Sequence, residues 1–185
     1  MTLKNTENRY GSLSIKMHWF MFILMAATFA FIECRVFFEK GTNMRDLFKM
    51  WHFMLGLTVL TMVIIRFYLR FTQVSPKITP PLSSTQEFAA KGAHVLLYIF
   101  MIAMPISGWV MLSGLGKPIP FFGFELPTLI ATNKELGKSI EEVHEYVGML
   151  GYYLIGSHAL AALVHHYIQK DDTLTRILPR KKVKS

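Results

Sequence analysis

The seven histidines in this chain of 185 residues are the groups best suited to chemistry. Imidazole is a neutral metal ligand and the one side chain that titrates near neutral pH. Four of the seven fall in the apolar stretch from His144 to Tyr167, HEYVGMLGYYLIGSHALAALVHHY. Two of these, His144 and His158, are fourteen residues apart, which on a helix places them on nearly one face and about 21 Å apart along the axis. That distance is most of a hydrocarbon core about 30 Å thick. Histidines inside a membrane span are costly and usually have a partner. Gly148, Gly151 and Gly156 keep the stripe beside them low and leave room for a broad flat group. The stretch therefore reads as a helix that carries one ligand for each of two stacked haems. Cys34 is the single cysteine, which leaves no thiolate cluster for iron–sulfur chemistry.

The elements that must position these residues are membrane helices. The chain is 52% hydrophobic and 17% charged, with 15 Phe and 12 Met, a composition suited to a small integral membrane domain. Four spans are expected in one domain covering residues 1–185, at about 15–33, 49–69, 92–113 and 143–168. The first has a basic start but no good small-residue cleavage site after it, so it is read as an uncleaved helix rather than a signal peptide. The proline-rich TQVSPKITPPLSSTQE marks a loop before the third span, and Pro105 with Gly108 is expected to kink that span. GKPIPFFGFELPTL reads as the start of an ordered cap. Ser139 and Glu142 fit a helix-start box before the fourth span. Trp19, Trp51 and Trp109 suit span anchors or bundle packing. The expected fold is all-α, an integral membrane four-helix bundle holding two b-type haems.

Four spans put both termini on one side. That side holds 13 of the 20 Lys and Arg residues but only 4 of the 12 acidic ones. By the positive-inside rule the termini are cytoplasmic, and the net charge of +8 is topology rather than a nucleic-acid footprint. No P-loop, GxGxxG or zinc-finger spacing is present.

Alternating directions then assign each histidine a depth. His52 and His144 form the outer pair, and no other transmembrane histidine competes for it. The inner layer offers His18, His94 and His158, with His165 and His166 at the very end of the last span. A bis-histidine haem takes two imidazoles from different helices. His158 is paired with His18, leaving His94 as the spare, although composition does not decide between them. Arg66, fourteen residues after His52, returns to the same stripe as a candidate propionate partner, or else a snorkelling interfacial arginine.

The histidine pattern, the HxxxGxxxxxxxxxH run from His144 to His158, the HALAALVHHY after it and the GKPIPFFGFELP cap resemble the bacterial cytochrome b561 family, from about Leu13 to Arg180. The likeness is greatest to its superoxide-oxidising dihaem members. The resemblance carries the haem-iron ligands onto His18 in SIKMHWF, His52 in MWHFMLG, His144 in VHEYVG and His158 in GSHALAA. It implies an enzyme with two haem b groups in the bacterial inner membrane. Electrons from superoxide on the periplasmic side would pass through both haems to ubiquinone, with no obligatory protein partner. Arg35, Lys40, Arg45, Lys49, Lys117, Lys134 and Lys138 in the outer loops are candidates to steer the anion, set among acidic residues. His94, His165 and His166 are the candidate quinone or proton groups. Catalytic residues beyond these are not assigned. A b-type subunit anchoring a dehydrogenase or hydrogenase is the alternative. A histidine-lined divalent-metal transporter suits the pattern less, because the histidines separate into two layers and the inner spans lack carboxylates.

Overall fold

A computed structural model describes residues 2–179. Arg180, Lys181, Lys182 and Lys184, which enter the charge comparison above, lie outside the described residues. Four long helices dominate: α1 (Ser12–Cys34), α2 (Asn43–Thr72), α3 (Ser84–Gly114) and α4 (Lys134–Val164), with a π-helical turn over His165–Gln169. Each is long and apolar enough to cross a membrane. Thr28, Thr58, Thr61 and Thr72 turn their hydroxyls back to carbonyls four residues earlier, so these polar groups are satisfied within their own helices.

Three of the helices begin several residues before their apolar spans, because capping side chains rather than hydrophobicity set where they start. Thr42 Oγ1 accepts the Arg45 N–H at 3.4 Å ahead of α2. Ser83 and Gln86 form a reciprocal box ahead of α3, the Ser83 N–H reaching Gln86 Oε1 at 2.9 Å, so this helix starts inside the stretch read as loop. Ahead of α4, Asn133 Oδ1 accepts the Leu136 N–H at 3.0 Å. Ser139 is therefore no cap. Its hydroxyl lies inside the helix and donates to Glu135 O at 3.2 Å. The third helix runs unbroken through Pro105.

The described residues gather into two compact units, and the division falls within all four helices. Unit 2 takes residues 21–63 and 98–152. Its core is Leu57, Met111, Leu112 and Ile119, ringed by Phe53, Trp109 and Ile140 among others. The cap folds as a two-stranded hairpin, β1 (Pro120–Phe121) and β2 (Phe124–Glu125), turning through Phe122 and Gly123, both at positive φ. Trp109 Nε1 donates to Pro127 O at 2.9 Å, and Ser113 Oγ accepts the Leu129 N–H, which fastens the segment after the hairpin to the end of α3. Gly114 and Gly137 meet so closely that a Cβ on Gly137 would stand 2.9 Å from Leu115 N and 3.0 Å from Gly114 C.

Among the described residues, unit 1 takes 2–20, 64–97 and 153–179. Within it the N-terminal segment, the loop after α2 and the C-terminal segment are stitched together. Asn5 accepts the Gly11 N–H and donates to Val74 O, Trp19 Nε1 donates to Ile177 O, and Arg176 donates to Pro76 O and Tyr10 Oη.

The close backbone approach at Gly137 has a measurable consequence. Gly137→Ala should destabilise the detergent-solubilised protein by about 1–3 kcal/mol, because two of the three nearest atoms it meets, Leu115 N and Gly114 C, are backbone and cannot turn aside. Gly92→Ala, at a helical site with nothing within 4 Å, should be neutral or stabilising. Thermal melting of the two variants checks the contrast.

Candidate functional site

In unit 2, α2 and α4 bring His52 and His144 together with ring centroids 6.3 Å apart and planes at 88°. Their hydrogen bonds identify which nitrogen carries the proton. His52 Nδ1 lies 2.9 Å from the Thr28 carbonyl, an acceptor only, so Nδ1–H donates and Nε2 keeps its lone pair. His144 Nδ1 lies 2.8 Å from Ser107 Oγ. The Ser107 hydroxyl is already donating to Met104 O at 2.8 Å, so it accepts from His144 Nδ1–H, and here too Nε2 holds the lone pair. Both rings are thus fixed in the tautomer a metal ligand needs, oriented by the outer partner that ligating histidines usually have.

The surroundings of the pair suit a macrocycle. Met25, Phe29, Phe100, Met101, Met104 and Leu112 help line a pocket that His52 and His144 both border. Its walls are almost wholly apolar, as a porphyrin face requires. Gly56, one helical turn after His52, lines it too, and a Cβ added there would reach no atom within 4 Å. With metal–imidazole bonds of about 2.0–2.1 Å, as in zinc sites, and ring centres about 1.1 Å behind each nitrogen, rings on opposite sides of one metal have centroids about 6.3 Å apart. The His52–His144 spacing fits that requirement.

Gly151, expected to leave room for a flat group, does not do so. The Phe100 ring fills its notch, with Cζ only 2.3 Å from where a Cβ would stand, because a phenyl ring packs directly on helix backbone wherever a side chain is missing. Gly148 is covered by Met104 Cε, and only Gly156 of the three meets nothing.

In unit 1, His158 has two neighbours. His18 stands with its ring centroid 6.5 Å away, and His94 stands at 5.5 Å. His94 donates Nδ1–H to Ala90 O of its own helix at 2.7 Å. His18 differs, since its Nδ1 faces Arg66 Nη2 at 3.3 Å. Arginine only donates, so in this arrangement that nitrogen carries the lone pair. Arg66, read from the sequence as a propionate partner or a snorkelling arginine, here lies against His18.

Farther along, His165 Nδ1 pairs with Asp171 Oδ2 at 2.5 Å, the side chains 14% and 3% exposed. Burial raises the Asp171 pKa, but hydrogen bonds from His165 and Thr173 outweigh it and hold the carboxyl below its usual value. His166 packs its ring on Tyr167. Sequence reasoning missed Thr28, Ser107 and Asp171. A threonine and a serine in otherwise apolar spans, and an acidic residue just past a histidine-bearing helix end, were the available signals.

Among the outer basic residues, several are engaged. Arg45 donates to Arg35 O and Phe38 O, Arg35 to Ile32 O, while Lys49 pairs with Asp46 and Lys138 with Glu141. Lys40, Lys117 and Lys134 have no ion-pair partner among the described residues. No group of three or more His, Cys, Asp or Glu that could hold a metal ion occurs among them either.

Comparison with known proteins agrees with this picture. Residues 9–180 match the family model described as prokaryotic cytochrome b561. The chain is 37% identical to cytochrome b561 homolog 1 of Escherichia coli K12, over 95% of this chain and 99% of the relative. It is 32% identical to the probable superoxide oxidase CybB of Yersinia pestis, with the same two coverages. Cytochrome b561 homolog 2 of Escherichia coli K12 is 30% identical over 96% of this chain and 95% of its own length. A haem-compatible histidine pair in an apolar cavity, four helices able to cross a membrane and a match along nearly the whole chain lead to one conclusion: this protein belongs to the prokaryotic cytochrome b561 family of membrane-bound b-type cytochromes.

Proposed function

We propose that the chain is a superoxide:ubiquinone oxidoreductase that works as one membrane domain, with two b haems and both termini in the cytoplasm. The observation that carries the dihaem part is the pair of cross-helix histidine couples, at 6.3 Å for His52 and His144 and 6.5 Å for His18 and His158. His94 stands at 5.5 Å from His158, and the His18 couple, nearer in spacing to the outer pair, is taken as the ligating one. Bound haem supplies reversible one-electron chemistry.

The residues of the chain do the rest. Thr28 and Ser107 hold the outer imidazoles in the ligating tautomer, and the apolar walls exclude water from the cavity. A ligating His18 would need the lone pair on Nε2, and Arg66, which faces its Nδ1, would then be available to pair with a propionate of the bound group. Superoxide meets the outer face and leaves as O2. Two such anions and two protons convert one quinone to its quinol. Lys40, Lys117 and Lys134 remain to attract the anion. The donor and the acceptor are supported by the likeness to a probable superoxide oxidase, and the periplasmic location of the outer face by the distribution of basic residues.

Rapid mixing of the purified chain with superoxide should reduce the haem band, and added ubiquinone should restore the oxidised spectrum. A band that dithionite reduces and superoxide does not would remove superoxide as donor. The second-order rate should fall as salt rises from about 10 mM to 150 mM and the Debye length shrinks from about 30 Å to about 8 Å. A flat profile would sink steering. Ser107→Ala should weaken retention of the outer haem about 10–100-fold, as loss of an orienting partner does, with the other haem's spectrum unchanged.

A further inference from the structure

We propose that His165, oriented by Asp171, is the catalytic acid that protonates the reduced quinone. This rests on the quinone-reducing reading above and gives that reading a proton donor.

The two residues are joined twice. Besides the 2.5 Å side-chain contact, the Asp171 N–H donates to His165 O at 3.1 Å. The chain makes an unusual detour to bring them together. The helix widens into a π-turn over His165–Gln169, and Lys170 then sits in the left-handed region at φ 58°, ψ 35°. That region suits glycine and is strained for a long side chain, and π-turns are frequent at functional sites. The strain brings a buried carboxylate against one imidazole nitrogen.

The second oxygen of Asp171 accepts the Thr173 N–H at 2.8 Å, so the carboxylate is held on both sides, by the His165 ring and by the Thr173 backbone. The neighbouring charges are committed elsewhere. Asp172 accepts from Thr79 N–H, and Arg176 donates to Pro76 O and Tyr10 Oη. Lys170 occupies the turn itself. A carboxylate behind Nδ1–H fixes the tautomer and leaves Nε2 to exchange a proton, the arrangement that makes histidine an acid and base elsewhere.

His165 is also well placed on its element. It follows His158 by seven residues, two turns, so the two share a face about 10 Å apart along the axis. His94 has only its own helix carbonyl behind it, and His166 packs on Tyr167. Among the described residues, His165 is the one histidine paired with a carboxylate.

In the reaction, the His165 Nε2–H bond breaks as an O–H bond forms at a quinone carbonyl oxygen. The imidazole then recovers a proton from water. The electrons come from two superoxide anions, each released as O2. One quinone takes two protons and two electrons.

The test starts from the full haem-loaded chain reduced with dithionite and freed of excess reductant. It is mixed with a short-chain ubiquinone, or with ferricyanide, which takes electrons without protons. His165→Gln and Asp171→Asn should slow re-oxidation by ubiquinone at least about tenfold, with the ferricyanide rate and the haem spectrum unchanged. The near-isosteric Asn variant guards against simple misfolding. In the wild type, D2O should slow the ubiquinone reaction alone. Wild-type ubiquinone rates in both variants, equal slowing with both oxidants, or no solvent isotope effect would overturn the proposal. A wild type that ferricyanide oxidises and ubiquinone does not would overturn the acceptor as well. A dyad effect in protein that superoxide fails to reduce would uphold the proposal and remove only the donor.

Discussion

The structure turns on two Nδ1–H hydrogen bonds, from His52 to the Thr28 carbonyl and from His144 to the Ser107 hydroxyl. An imidazole in an apolar, membrane-crossing segment is costly, and each of its nitrogens must be satisfied. These bonds satisfy one nitrogen of each ring and aim the other into the cavity. Everything around them in unit 2 supports that aim. Ser107 is itself anchored to Met104 O, Gly108 lets the His144 ring approach α3, with Cε1 at 3.4 Å from a would-be Cβ, and the lining is hydrocarbon and aromatic. The side chains of this unit fix the tautomer and the orientation that a ligating pair needs.

Unit 1 is arranged on a different principle. Its histidines lie among donors and acceptors rather than hydrocarbon alone, with Arg66 on His18, Ala90 O on His94 and Asp171 on His165. Such groups handle charge and protons, which suits the quinone reduction proposed for this unit. In the proposed reading, unit 2 receives an electron from an anion and needs no proton, whereas quinone reduction in unit 1 needs two. The polarity of each unit follows that demand.

Much of this was legible in the residues. The four apolar runs gave the helices, and the histidine positions brought His52 to His144; they left His18 and His94 undecided as neighbours of His158, and both stand beside it. Helix ends were less legible. Thr42, Ser83 and Asn133 cap outside the apolar windows, and Ser139, which has the right pattern, sits within a helix already begun at Lys134. The glycine stripe misled for a related reason: spacing reveals an absent side chain but not the Phe100 ring that fills its place. The partners of the histidines were hidden because a single Thr or Ser in a span is common, and the Asp171 contact depends on a π-turn that no periodicity announces. The contact of Arg66 with His18 depends on rotamers, which spacing does not give.

The central claim is that two histidine couples each hold a b haem. The most direct measurement is haem content per chain together with electron paramagnetic resonance of the oxidised protein, for the wild type and for His144→Ala and His158→Ala. Two low-spin haems per chain in the wild type, with one lost or turned high-spin in each variant and a different one in each, is the result expected. A single haem per chain, or a wild-type spectrum that survives either substitution, would contradict the account.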